Sequence, residues 1–454
     1  MSNSATSGDA LAEATVPSLP EKPARKTLAE MLRRRTSSGA YFPEIDGLRF
    51  LAIAPVVLQH LSDRVYRAMD MKGTVSAFDQ YVYSLVPSGY LGVRLFFVIS
   101  GYIICMPLAK RATAAPQAAP EFHYGTYMLR RVTRLEVPYL LLLGLIFLAV
   151  MAIETLGMKS LTEGTVSYSA TSIPLPLSFA ASLVYAHGVL FRAFPRLNPP
   201  AWSLEIEFQF YLIAPAIILL CLAVGRWFRS FTAVWVSMVV AVIAMKLAAH
   251  EWASTDAHRP TDLENYLVSK FVEFFVLGFV LSFLYARGTF KSPTLAKIAT
   301  PLFLGGIALA WYADHVWMKT LDAPAVRILS LIAFSAIFAG ALSGGVGRRF
   351  TSATWIATIG GMCYSIYLIH LMLFQAGTRI LLKFIPVHDL VSATIVYGLI
   401  LIPLTLVVCS IFFILVEKPC MDPQWPQKLY RALRGFFSGQ KEQVDVLQKP
   451  DVTG

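Results

Sequence analysis

An arginine and a histidine bracket the first long apolar run of this chain: Arg49 opens it and His60 stands near its end. An ionisable group inside a bilayer is costly unless it is paired or wet, so each one marks a functional site by default. Residues eleven apart on a helix share one face, about 16 Å apart along the axis. That face carries a fixed cation at one level and a titratable base at another. The base suits general-base or nucleophilic work in a low-dielectric site. Gln59 and Asp63 neighbour His60 in sequence, and Asp63, three residues on, is placed to orient its ring. The plain alternative is a histidine that merely packs near a helix end.

Other groupings carry similar double readings. Asp46 stands three residues before Arg49, the spacing of a helical ion pair that would fix the guanidinium towards a ligand; with Glu44 it also reads as an interfacial anchor. Arg131 and Arg134, in a run with Arg130, form an i, i+3 pair at a helix entry. Guanidinium groups bind phosphate in a bidentate way, although a basic run beside a span can also simply set topology. Arg94 lies several residues into an apolar run and calls for a carboxylate or a ligand. Gly89, Gly92 and Gly101 in the same run permit close helix contact. Ser203, Glu207 and Tyr211 recur at i, i+4, i+8 on one helical face. Glu207 is either a structural partner for Arg94 or a group that binds or activates a hydroxyl acceptor. Cys363, Tyr367 and His370 share another face; His370 is either a helix–helix hydrogen-bond partner or a neighbour of His60 in a common cavity. His187 has no such support. No Cys or His spacing resembles a metal site, so no metal is expected.

The elements that must position these groups are membrane helices. Of 454 residues, 56% are hydrophobic and 15% charged, against about 25% charged in a soluble domain. Unbroken apolar runs, in place of alternation, exclude a β-barrel. The fold class expected is all-α, a polytopic helical bundle. Spans long enough to cross fall near 48–66, 88–108, 138–157, 202–224, 231–250, 266–286, 297–313, 327–346, 356–383 and 391–416. A weaker segment near 174–192 contains Pro174 and Pro176. Treating it as re-entrant or peripheral puts every basic loop on one side, as the positive-inside rule demands. Ten spans with both termini cytoplasmic follow. Residues 1–40 read as a disordered cytoplasmic tail, 41–420 as the membrane domain and 421–454 as a cytoplasmic C-terminal tail. The net charge of +11 is explained by cytoplasmic loops, so no nucleic-acid partner is expected. Four of the five cysteines lie in apolar segments, which argues against a disulfide framework.

At these residues the chain resembles the acyltransferase-3 family of integral membrane acyltransferases. Five blocks match in order: PEIDGLRFLAIAPVVLQH with its arginine–ten–histidine spacing, GVRLFFVISGYI, RRVTRLEVPY, AWSLEIEFQFYL and MCYSIYLIH; a closing Glu417-Lys418-Pro419 also fits. The resemblance covers about residues 41–420. It implies transfer of an acyl group, most often acetyl, from cytoplasmic acyl-CoA to a hydroxyl of a carbohydrate or lipid-linked glycan. O-acetylation of a surface or exported polysaccharide, in the inner membrane of a bacterium, is the form expected. Carried over by position, His60 is the essential histidine with Arg49 as companion, Glu207 is the carboxylate of the Trp-Ser-Leu block, and Arg131 and Arg134 handle the donor. Asp46 is grouped with the donor residues, and Arg94, Ser100, Ser203, Tyr211, Tyr367 and His370 with acceptor binding or support. Phe208 stands where the family commonly has glutamate, and Cys363 where serine is frequent. No cofactor beyond the acyl-CoA donor substrate is implied. Members often carry an esterase-like extracytoplasmic domain, so a separate extracytoplasmic partner protein joins membrane lipid among the expected partners. The rival of another class is a transporter or flippase for a glycan or lipid.

Overall fold

The structure, a computed structural model, describes residues 27–34, 41–70, 75–118, 122–157, 173–254, 263–316, 323–387, 389–422 and 424–438. Among these residues there is no strand; the chain is a multi-pass helical membrane bundle. Its helices are α1 (Leu28–Leu32), α2 (Pro43–Asp70), α3 (Ala77–Leu85), α4 (Gly89–Ala114), α5 (Tyr124–Thr155), α6 (Leu175–Leu183), α7 (His187–Phe191), α8 (Trp202–Trp227) and α9 (Phe231–Ser254). They continue as α10 (Val272–Ala286), α11 (Pro293–Val316), α12 (Pro324–Ser343), α13 (Gly345–Thr351), α14 (Thr354–Gly361), α15 (Cys363–Phe384) and α16 (Leu390–Phe412). A π-helical turn, Phe413–Glu417, follows α16, and α17 (Trp425–Ser438) comes last.

Among the described residues, eight helices are long and apolar enough to cross a membrane: α3–α4 as one stretch, α5, α8, α9, α11, α12, α15 and α16 with its π-turn. The other two expected spans are α2 and α10. The 28 residues of α2 suffice in length, but its ends are charged; α10 is apolar but has only 15 residues. The 174–192 segment folds as α6 and α7, of nine and five residues, each far too short to span. Outward-facing Val236, Val239, Val240, Ile243 and Leu247 on α9, and Leu399, Leu404, Val407 and Ile411 on α16, are exposed. Such apolar faces are at home only against lipid tails.

Three boundaries differ from expectation. The run read as a span at 138–157 becomes the C-terminal part of a 32-residue helix, so Arg130, Arg131 and Arg134 lie within α5 and not ahead of it. Pro138 is tolerated there because a membrane helix can satisfy the freed carbonyl from its neighbours. The span expected at 356–383 is broken at Met362, just after Gly360 and Gly361, into α14 and α15. Part of the segment expected to be disordered tail is helical: α1 has a capping box, Thr27 Oγ1 accepting from the Glu30 amide at 3.3 Å and the Glu30 carboxylate accepting from the Thr27 amide at 2.9 Å. Within the C-terminal tail, residues 425–438 form α17.

α2 is the hub, packed against α4, α14, α15 and α16. Glycines allow close helix approaches: a Cβ on Gly92 of α4 would come within 2.1 Å of the Ala52 carbonyl oxygen on α2, and one on Gly101 of α4 within 2.1 Å of Phe275 O on α10. The glycine run in α4 therefore packs as its sequence indicated. A stack of phenylalanines holds α4, α8 and α10 together, with Phe210 and Phe275 centroids 3.7 Å apart and Phe97 4.6 Å from Phe275.

Candidate active site

The first turns of α2 deliver Asp46 and Arg49 to the interior, where they are 3% and 7% exposed. The Arg49 guanidinium donates to Asp46 Oδ1, as the i, i+3 spacing predicted. A second arginine reaches the same oxygen: Arg34 Nη1 lies 3.4 Å from Asp46 Oδ1. A buried guanidinium held by a carboxylate keeps its remaining donors aimed. Glu44, in contrast, turns outward to Arg348 at 2.9 Å and is the anchor that the plain reading suggested.

Beyond Arg49 opens a cleft bounded by α2, α4, α5, α8 and α15. Its cationic side consists of Arg34, Arg49, Arg131 and Arg134. Arg131 is held between two phenols, 5.7 Å from the Tyr127 ring and 5.5 Å from Tyr211. The polar face of α8 forms the opposite wall, with Ser203, Glu207 and Tyr211 all lining it. Tyr211 OH and Ser100 Oγ both donate to Glu207 Oε1. Ser100 therefore fixes the α8 carboxylate from α4. Of the two readings of Glu207, the structural partnership with Arg94 gives way to these two hydroxyls. Arg94 is 2% exposed, stands 5.5 Å from the Phe274 ring, and is not part of the cleft lining.

Tyr367 closes the far end. Its hydroxyl bonds to Ser203 Oγ at 2.7 Å and donates to the Pro200 carbonyl. One turn further along α15 lies His370, its ring 6.3 Å from that of Tyr367 and 5.2 Å from that of His60. His370 Nδ1 sits 2.7 Å from the Ile366 carbonyl, which makes it the protonated nitrogen and leaves Nε2 an acceptor. His370 Nε2 and His60 Nδ1 are both buried without a hydrogen-bond partner among the described residues. The two histidines form a pair that neither the α2 pattern nor the α15 pattern could reveal alone. Neither lines the cleft; they lie in line with it, behind Tyr367.

The sequence neighbours of His60, Asp63 proposed to orient its ring and Gln59 beside it, are engaged elsewhere. Asp63 accepts from Tyr83 OH, because α3 folds back onto the end of α2, and it also lies 4.0 Å from Arg67. The Gln59 side-chain oxygen accepts from the Gly89 amide at the start of α4. Asp46, grouped with the donor residues, does not line the cleft and reaches it only through the arginines it holds. His187 is fully buried on Ala193 O at 3.1 Å, and burial pushes its pKa below the ordinary value, so it stays neutral as a structural group.

Two charged cleft residues escaped the sequence reading. Arg34 lay in the supposed tail. Glu417 belonged to a noted closing motif but had no assigned role. Its Oε2 takes the Ser365 amide at 3.1 Å and the Ser365 hydroxyl at 2.5 Å. Glu417 is buried at the end of the π-turn, which adds a residue to the helical repeat and so rotates the side chains that follow. The cysteines are free thiols, and no cluster of three metal-ligating side chains occurs among the described residues.

A family profile described as an acyltransferase domain matches residues 42–414. Arg34 and Glu417 fall outside that range. Acyltransferase MdmB of Streptomyces mycarofaciens is 23% identical over 403 residues, covering 84% of this chain and 91% of that protein. Peptidoglycan O-acetyltransferase OatA of Listeria monocytogenes is 26% identical over 201 residues, covering 44% of this chain and 27% of the other. This match thus spans about a quarter of the Listeria protein's length. No solved structure matches.

Proposed function

The chain belongs to the acyltransferase-3 family, and from that premise we propose that it moves an acetyl group from cytoplasmic acetyl-CoA to a hydroxyl of a carbohydrate or lipid-linked glycan. The observation that carries this reading is the line of groups through the bundle: arginines at one end of the cleft, then Glu207 and Tyr367, then the His370–His60 pair. Arg49 and His60 stand about 16 Å apart along α2. An extended pantetheine arm suits that separation, with nucleotide phosphates at Arg49, Arg131 and Arg134 and the thioester at the Tyr367 end, towards His60.

Orientation follows from the donor. Acyl-CoA is cytoplasmic, so the arginine end faces the cytoplasm of a bacterial inner membrane and both termini lie there. His60 then works in the outer half of the bilayer, nearer an exported acceptor. His60 takes the proton of the acceptor hydroxyl as its oxygen attacks the thioester carbonyl, the C–S bond breaks, and CoA thiolate leaves to be protonated. An acyl-imidazole on His60, formed and then consumed by the acceptor, balances equally well. Trapping an acylated His60 would decide for the second route. Buried charges alone also suited a transporter; membership of an enzyme family decides against it.

Membranes containing the wild-type protein or His60→Ala, given radiolabelled acetyl-CoA and cellular glycans, test the proposal. Label entering an alkali-labile glycan fraction only with wild type is expected. Equal labelling would remove His60 from the chemistry, and transfer only from longer acyl-CoAs would replace acetyl as the group moved.

A further inference from the structure

Arg34 lies ahead of the family-matched residues, yet its guanidinium forms part of the cleft wall. The element that delivers it is held on several sides. Leu32 is buried, the Arg33 guanidinium lies 3.8 Å above the Tyr41 ring, and Lys418 Nζ donates to the carbonyls of Glu30 (3.3 Å) and Met31. Lys418 thereby ties the C-terminal end of α1 to the segment that carries Glu417. A five-residue helix is too short to persist by itself; these contacts fix it over the mouth of the cleft.

The Arg34 side chain is only 8% exposed, and its contact with Asp46 is a single one at 3.4 Å. Its Nε is buried with no hydrogen-bond partner among the described residues. A guanidinium offers five N–H donors in a rigid fork, and an arginine serving only as a salt-bridge strut would present two of them to the carboxylate. Asp46 already spends the same oxygen on Arg49. Arg34 therefore keeps donor capacity beyond Asp46 while lining the cleft, in a place where a buried unsatisfied donor is costly.

We infer that Arg34 is a further donor-binding residue, taking a phosphate oxygen of the acyl donor, and that α1 is a strap whose task is to present it. The inference rests on the proposed acyl-CoA reading and names a binding residue that reading lacks. With Arg34 the cleft holds four guanidinium groups against the carboxylates of Glu207 and Glu417, a balance that suits a multiply charged anion.

The test measures binding of CoA and of pantetheine, which lacks the nucleotide phosphates, to the detergent-purified full chain. Wild type, R34A and R34K are compared. Expected is at least a roughly tenfold weaker CoA affinity in R34A, an intermediate value in R34K because charge is kept and the fork is lost, and unchanged pantetheine affinity in all three. R34A binding CoA as tightly as wild type would overturn the inference and leave the donor reading intact. Equal weakening for CoA and pantetheine would also overturn it, since Arg34 would then only shape the cleft. A wild type that binds no CoA would bring down the donor reading itself, and this inference with it.

Discussion

Asp46→Asn sets two electrostatic effects against each other. Removing a negative charge beside the arginine cluster should, through space alone, strengthen anion binding; across a wet cleft that gain is at most about 1 kcal/mol. Against it stands the loss of the group that aims Arg49 and Arg34. At the 3.4 Å separation of Asp46 from Arg34, the Coulomb attraction is about 5 kcal/mol for an effective dielectric constant of about 20. Desolvation and water in the cleft reduce the net value to roughly 2 kcal/mol, below the 3–5 kcal/mol or so seen when a fully enclosed pair is broken. Positioning therefore wins. The donor KM of Asp46→Asn is expected to rise about five- to thirtyfold, with a smaller change in kcat, because His60 lies about four turns away on α2. Initial rates against acetyl-CoA concentration in membranes, with protein level checked on a blot, measure it. A donor KM that falls, or stays within about twofold of wild type, would refute the reasoning: Asp46 would then act as a simple counter-charge, and the arginines would hold their places without it.

Three further outcomes are expected. His60→Ala should abolish turnover while leaving CoA affinity near wild type, whereas Arg131→Ala should raise donor KM about tenfold or more with activity recoverable at high donor; the reverse pattern would exchange their roles. Gly101→Ala places a methyl carbon 2.1 Å from Phe275 O, so α4 must move away from α10 and carry Ser100 off Glu207; a loss of about 1–3 kcal/mol should lower the unfolding temperature in detergent together with activity, and an unchanged melt would contradict the packing. A reporter fused after Phe228, between Arg226 and Arg229 at the end of α8, should read out in the cytoplasm; an external signal would invert the proposed orientation.

The sequence by itself determined the helices and the faces they present. Apolar run length marked the membrane-crossing segments, and the proline-bearing 174–192 stretch was legible as too weak to span. Spacing placed Ser203, Glu207 and Tyr211 on one face and Asp46 beside Arg49, because both periodicities arise within one helix and are read over a few residues. Only the tertiary structure decided which faces meet. His60 finds His370, 310 positions away, while the nearby Asp63 is taken by Tyr83 after α3 folds back. Glu207 finds Ser100 in place of Arg94, and Arg34 enters from a segment whose composition read as tail. Such pairings depend on how helices pack, with glycines at 92 and 101 allowing the approach and Glu417 buried at the end of a π-turn. A local pattern records what a helix offers its neighbours. Which neighbour accepts the offer is settled by packing over the whole bundle, and no window of sequence contains it.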